Sequence, residues 1–248
     1  MISNDSFVYY DVVMNVAVIV PTLNEAENIG NLIPSIHNAL RDNYTIVIVD
    51  DNSKDGTRDV VRSLAATYPV KLVERPGKLG LASAVIDGMK SQQAEAYIVM
   101  DADFSHPPEL LSEIKSKLET YDLVVASRHV KGGGVSGWPL RRRIISGTAI
   151  LMARPLTRVK DTTTGFFAVR GSCLENVTLA PVGFKIGLEC FVKARWRSYT
   201  EIPFIFTDRR CGSSKLGKSE FLDYLKHLLR LYIYVIRNVL RRTFHSGR

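Results

Sequence analysis

Val99-Met100-Asp101-Ala102-Asp103-Phe104-Ser105-His106-Pro107-Pro108 is the stretch that decides how this chain is read. An apolar run, Ala96 to Met100, stops abruptly at two carboxylates one residue apart, Asp101 and Asp103. A strand that delivers Asp-x-Asp at its C-terminal tip sets two hard oxygen ligands side by side at a sheet edge. Such a pair holds Mg²⁺ or Mn²⁺ against a substrate diphosphate, while water and phosphate oxygens fill the other positions. Taken alone, the pair also fits a plainer role, capping a helix that starts at Pro107 or Pro108. The rest of the chain separates the two.

Short apolar runs alternate with helical segments on both sides of this tip. Val16–Val20 and Thr45–Val49 read as buried strands, followed by helices over Ala26–Arg41 and from about Thr57. Val70–Glu74, a helix near Gly80–Lys90 and the Ala96–Met100 strand repeat the pattern, and Pro107–Thr120 with Leu123–Ser127 extend it. This order predicts an α/β fold with a mostly parallel sheet covered on both faces. Ligands of such sheets bind beyond the carboxyl ends of the strands. Polar residues gather there: Thr22-Leu23-Asn24-Glu25, then Asp50-Asp51, then Asp101 and Asp103. Three acidic tips along one edge point to a single site.

The sequence has 248 residues, 46% hydrophobic and 23% charged, which suits one large α/β domain. Its three cysteines are odd in number and widely spaced, so a disulfide framework or a zinc site is not expected. No Lys or Arg precedes the first apolar run, so the N-terminus does not read as a signal peptide. Nor does any stretch approach the roughly 18–20 apolar residues of a spanning helix. The net charge of +8 calls for an anionic partner: nucleic acid, nucleotide or acidic lipid. No nucleic-acid recognition motif accompanies it, and acidic strand tips would repel phosphates without a metal, so nucleic acid is set aside.

Between Arg128 and Arg143 the glycines and Trp138-Pro139 break any regular element, and a mobile loop leading into a helix over about 143–153 is expected. Gly132, Gly134 and Gly137 satisfy G-x-G-x-x-G. The dinucleotide fingerprint needs a helix to follow directly, and Trp138-Pro139 stands in its place. After a strand over Gly165–Arg170, a helix over Lys185–Trp196 and a strand over Tyr199–Phe206, the segment Asp208–Lys215 reads as a basic phosphate loop or a solvated turn. The chain then divides into a catalytic domain, 1–218, and a basic amphipathic helix, 219–248. In that helix Leu222, Leu225, Leu229, Tyr232, Ile236 and Val239 share one face, with Lys226, Arg230, Arg237 and Arg241 opposite. It is expected to lie on a membrane or dock a hydrophobic partner rather than close the core.

These motifs together resemble a known family. Pro21-Thr22-Leu23-Asn24-Glu25, Val49-Asp50-Asp51-Asn52-Ser53, Asp55-Gly56-Thr57, Lys78-Leu79-Gly80-Leu81, Asp101–His106, Gly137-Trp138, Arg142-Arg143-Ile144-Ile145-Ser146 and Ser214-Lys215-Leu216 follow the order seen in dolichyl-phosphate mannose synthases. Those are family 2 glycosyltransferases of the GT-A fold, and the likeness covers residues 16–235. It implies transfer of mannose from GDP-mannose to dolichyl or another polyprenyl phosphate with inversion. A dolichyl-phosphate glucosyltransferase using UDP-glucose is the alternative.

By the same resemblance, Pro21, Leu23, Glu25, Val49 and Asp51 line the nucleoside pocket. Asp101, Ala102 and Asp103 meet the diphosphate, and Asp101, Asp103 and Ser105 the Mg²⁺ or Mn²⁺, with Ser105 standing where some relatives carry Gln. Arg128, Lys185, Arg209 and Lys215 surround the donor and acceptor phosphates, and Asp103, Arg128 and Arg209 are the residues expected to carry catalysis. Departures from the family pattern are Asn52, for a commoner Gly, and Thr163-Thr164-Gly165-Phe166. The resemblance also implies peripheral attachment: to the cytosolic face of the endoplasmic reticulum in a eukaryote, with small membrane subunits as possible anchors, or to the cytoplasmic membrane in a prokaryote.

Overall fold

β1 (Val16–Thr22) is an interior strand, and its side chains show why. Val16, Val18 and Val20 join one hydrophobic cluster and Ala17 and Ile19 another, each fully buried. A strand apolar on both faces must be covered on both, the usual setting of parallel neighbours joined by crossover helices. The computed structural model describes residues 14–180, 182–207 and 218–245. Its main sheet has seven strands in the order β3-β2-β1-β4-β7-β5-β8. These are β2 (Tyr44–Asp50), β3 (Val70–Glu74), β4 (Ala96–Val99), β5 (Leu123–Ser127), β7 (Phe167–Arg170) and β8 (Tyr199–Pro203). β1, β2, β3 and β4 run parallel, as do β5 and β8. β7 is antiparallel to both β4 and β5.

Helices α1 (Ala26–Leu40), α2 (Thr57–Leu64) and α4 (Leu110–Leu118) cover one face, and α3 (Leu81–Ser91) and α6 (Ile186–Lys193) the other. α1 runs through Pro34 without interruption.

Two segments differ from the sequence expectation. Residues 128–143 are not simply a loop: β6 (Gly134–Val135) pairs in parallel with β9 (Ile205–Phe206), and α5 (Leu140–Ala153) starts three residues earlier than expected. A two-residue strand is too short for any periodicity to reveal. The expected strand 199–206 is broken at Phe204, whose N–H donates to Ser127 O at 3.2 Å, so its two halves join different sheets.

The last helix, α7 (Lys218–His245), is docked at its proximal end. Tyr224, Leu228 and Leu231 bury against Ala153 of α5 and Leu188 of α6. Tyr224 and Tyr232 hydroxyls donate to the Ala149 and Met152 carbonyls at 2.6 and 2.8 Å. His227 and Glu189 meet at 2.5 Å, both almost wholly buried. Burial alone would raise the Glu189 carboxyl, yet hydrogen bonds from His227, Lys193 and Ala180 N hold its pKa down to about 2. The docked face is therefore 224, 227, 228 and 231, not the stripe the periodicity picks out. Leu222, Leu229, Ile236 and Val239 of that stripe remain exposed. Among the described residues no helix is long and apolar enough to cross a membrane.

Candidate active site

The strand order brings the tips of β2, β1 and β4 side by side, as the sequence requires for one site. Most of the acidic groups there are already engaged. Asp50 is fully buried and accepts from Ser53 N at 2.9 Å and from Arg58 Nε at 2.5 Å. Asp51 is held by Arg75 and by Gly80 N at 2.9 Å, which fastens the loop before α3 to the tip of β2. The β1 tip is tied to the same loops: Asn24 N donates to Ser53 Oγ at 2.8 Å and Glu25 N to Thr57 Oγ1 at 3.0 Å. Pro21 and Leu23 are half-buried there. Val49 is buried beneath them, its side chain in the cluster under α3, and Ala102 is likewise buried.

The β4 tip is built differently. Asp103 Oδ1 accepts from Ser105 N at 3.0 Å, closing a tight turn that holds Phe104 at φ +60°. A bulky residue in the left-handed region costs roughly 1–3 kcal/mol and persists only where its surroundings impose it. Asp103 is buried, and Asp101 stays partly open to solvent. His106 Nδ1 accepts from Asp101 N at 2.9 Å, so a neutral ring carries its proton on Nε2, 3.8 Å from Asp101 Oδ2. Burial pushes the His106 pKa below its ordinary value, against the pull of Asp101 and Asp103. The ring stacks on Phe166 at 5.0 Å and 16°. It is a wedge that sets the acidic turn rather than a free base.

Ser105 Oγ is buried with no protein hydrogen-bond partner. An unsatisfied buried hydroxyl costs about 1–3 kcal/mol, so one at the root of an Asp-x-Asp turn fits a site meant to hold a cation or its water. Among the described residues no three His, Cys, Asp or Glu side chains converge closely enough to cage an ion. Two carboxylates with a hydroxyl suit Mg²⁺ or Mn²⁺ completed by substrate phosphate, not an all-protein cage.

Across from this tip lies a cationic cluster. Arg128, at the end of β5, is 9% exposed, and its Nε and Nη2 donate to Asp161 at 2.8 and 2.7 Å. Nη2 also reaches Thr163 Oγ1 at 2.8 Å, and the Arg128 backbone N–H donates to Asp161 at 2.9 Å. Burial would raise the Asp161 pKa, but the hydrogen bonds and charge of Arg128 outweigh it and hold the carboxyl below its usual range. Lys185, just before α6, donates to Thr163 O at 2.8 Å. α6 comes this close because residue 187 is glycine: a Cβ there would lie 2.8 Å from the Thr164 carbonyl oxygen. Burial, helped by the Arg128 charge, pulls the Lys185 pKa down to about 8 against the opposing fields of Asp161 and Asp101.

Asp161 is the residue that sequence reasoning missed. Its signal was indirect: a buried arginine demands a carboxylate, and Asp161 is the acid beside Thr162-Thr163-Thr164. Arg209 and Lys215 lie outside the described residues.

Residues 17–178 match the glycosyl transferase family 2 model. The chain belongs to that family. Family 2 members named dolichol-phosphate mannosyltransferase are its relatives along most of its length. The protein from Pyrococcus furiosus is 43% identical over 88% of this chain, which spans 64% of that relative's length. The Saccharomyces cerevisiae protein is 35% identical, with 88% of this chain and 87% of the relative aligned. The Mycosarcoma maydis protein is 37% identical, with coverages of 87% and 78%. Among solved structures, glucosyl-3-phosphoglycerate synthase from Mycobacterium tuberculosis, in complex with Mn²⁺, uridine diphosphate and glucosyl-3-phosphoglycerate, superposes with a TM-score of 0.65. It is 16% identical over 89% of this chain and 79% of its own, a likeness of fold. The chain is a glycosyltransferase with the GT-A type of fold.

Proposed function

We propose that this glycosyltransferase moves a mannosyl group from GDP-mannose to dolichyl phosphate, or another polyprenyl phosphate, using Mg²⁺ or Mn²⁺ at a membrane surface. One observation carries the reading: Asp101 acts electrostatically on Lys185, and Asp101, Asp103 and Arg128 all act on the buried His106 between them, in a chain 35–43% identical to proteins named dolichol-phosphate mannosyltransferase. When bound, the ion draws charge from the departing diphosphate as a Lewis acid. Asp101 and Asp103 would hold it, with Ser105 Oγ close by. Lys185 and Arg128 meet phosphate oxygens, and Asp161 keeps the guanidinium from turning away.

The acceptor oxygen is already anionic, so no base has to remove a proton. As it bonds to the anomeric carbon, the bond from that carbon to the diphosphate oxygen breaks, and GDP leaves with the electron pair. In-line displacement inverts the centre and gives a β-linked mannosyl phosphate. Incubation with Mg²⁺, dolichyl phosphate and labelled GDP-mannose should put label into solvent-extractable lipid. Transfer from UDP-glucose instead would move the donor assignment to the glucosyl reading.

Lys185 gives the reaction an expected pH limb. A lysine with pKa about 8 is charged below that pH and loses its proton above it, so donor kcat/KM should fall as pH rises through about 8. Lys185→Arg, even at a reduced rate, should carry the limb above pH 10, because a guanidinium stays protonated. A limb that stays near 8 in this variant belongs to another group.

The membrane part of the reading rests on α7 and α5. Distal α7 exposes Ile233, Ile236, Val239 and Leu240 and carries Arg230, Arg237 and Arg241 on its basic side. α5 exposes Leu140 and Leu151 at 73% and 71%. We expect a chain ending at Tyr234 to keep its donor affinity within about twofold and to lose at least about tenfold in co-sedimentation with anionic vesicles, at about 1 kcal/mol per arginine removed. A cut before Phe221 is the wrong test, since it strips His227 from Glu189. Undiminished co-sedimentation of the 1–234 chain would clear distal α7 of that role.

A further inference from the structure

Glu189 and His227 are buried titratable groups that the chemistry above leaves unused. We propose that His227 is a positioning residue: by clamping Glu189 it fixes α6 against α7, and so sets Lys185, one helical turn before Glu189, where it meets the donor phosphates. This rests on the role given to Lys185 above.

Separate parts of the chain converge on the Glu189 carboxylate. Its Oε2 meets His227 Nε2 of α7 at 2.5 Å. Its Oε1 meets Lys193 Nζ at 2.5 Å, one turn further along α6, and accepts from Ala180 N at 2.9 Å. Ala180 lies five residues before Lys185, so the same carboxylate holds the approach to α6 as well as the helix itself. α7 has a second hold on this group, since Lys193 Nζ stands 5.1 Å from the Tyr234 ring centroid, within cation–π range. On the other side of α6, Gly187 packs against Thr164 O, and Lys185 Nζ donates to Thr163 O at 2.8 Å. A single turn of α6 thus spans the distance from the cationic cluster of the site to α7.

Docking of α7 does not by itself require this network. Tyr224, Leu228 and Leu231 already bury apolar surface against Ala153 and Leu188. The Glu189 and His227 side chains are each only 1% exposed, and a buried pair of this kind is often matched in stability by apolar side chains of similar volume. What the pair adds is register. Apolar surfaces can slide past one another, whereas a carboxylate tied to several donors has one position. Lys185 depends on that position. Burial and the Arg128 charge disfavour its ammonium there, and only the fields of Asp161 and Asp101 oppose them. A small shift of α6 would let this flexible side chain turn out to solvent.

Glutamine carries its amide nitrogen about where the imidazole carries Nε2, and His227 Nδ1 has no hydrogen-bond partner among the described residues to lose. His227→Gln should therefore keep GDP–Mg²⁺ affinity within about threefold of wild type, whereas His227→Leu should lower it about tenfold or more. In Lys185→Met protein the same His227→Leu change should cost no more than about twofold further, because the group it positions is gone. Competitive labelling of the Lys185 amine with acetic anhydride, read by peptide mass spectrometry, follows that side chain without nucleotide or turnover. Its midpoint should rise by about one pH unit or more in His227→Leu, as the amine leaves Arg128 for solvent, and stay near the wild-type value in His227→Gln. Glu189→Gln keeps the side-chain volume and should raise the midpoint too, which gives a reading even if the Leu variant does not fold. An unchanged midpoint in Glu189→Gln or in folded His227→Leu overturns the proposal, as do additive losses of affinity with Lys185→Met. A raised midpoint with undiminished GDP–Mg²⁺ affinity would keep His227 as the residue that positions Lys185 and sink the donor-phosphate role of that lysine instead.

Discussion

Asp103→Asn is expected to lower transfer by about a thousandfold or more while the protein stays folded. The substitution is chosen because Asn can still accept the Ser105 N–H bond that closes the turn around Phe104. What it removes is the charge, and with it one of the two carboxylates available to a divalent ion at this tip. Loss of a hard ligand weakens both the anchoring of the diphosphate and the stabilisation of the leaving group, a matter of several kcal/mol. Asp103→Ala should be equally inactive and also less stable, because its turn loses the acceptor. Circular dichroism, GDP binding titrated against Mg²⁺ and the lipid transfer assay distinguish the two. Near-normal turnover of Asp103→Asn with Mg²⁺ would show that the carboxylate is no ligand.

Asp161→Asn should be the most destabilising single change in the site. An amide in place of the carboxylate turns one acceptor into a donor facing Arg128 and leaves a guanidinium only 9% exposed without its countercharge. Breaking a buried pair from one side costs about 3–5 kcal/mol. In a chain of this size that is a fall in melting temperature of roughly 10 °C. Transfer should drop with it, since Arg128 no longer has one fixed direction. Replacing both partners, Arg128→Met with Asp161→Leu, should restore most of the stability and none of the activity. Recovery of activity in the double variant would reduce the pair to a structural element.

The sheet and its site edge were legible because long runs such as Val16–Val20 and Thr45–Val49 have no other stable arrangement, and each ends in polar residues. Direction was not legible for β7. Its apolar residues Phe167, Ala168 and Val169 suit either sense, and only pairing with both β4 and β5 decides it. The Asp-x-Asp tip was readable from neighbouring residues alone. The Arg128–Asp161 pair was not, because its partners are 33 residues apart and meet only in three dimensions. For α7, periodicity marked an apolar stripe but could not say which face would dock. Tyr224 and His227 sit among the docked residues, so their polar ends hid that face.

Reversal of β7 has a consequence for the chain as it emerges. The first 103 residues complete β1 to β4 and deliver the site's carboxylates, whereas Arg128, Asp161 and Lys185 arrive afterwards. β7 must slot between β4 and β5 before those cations stand opposite the acidic tip. Pairings over long sequence separations close late, since loop entropy is paid before contacts repay it. Within the first 103 residues Arg58 and Arg75 already meet Asp50 and Asp51, but Arg128 and Lys185 are not yet opposite Asp101 and Asp103. The cationic side of the site therefore waits for the final strands.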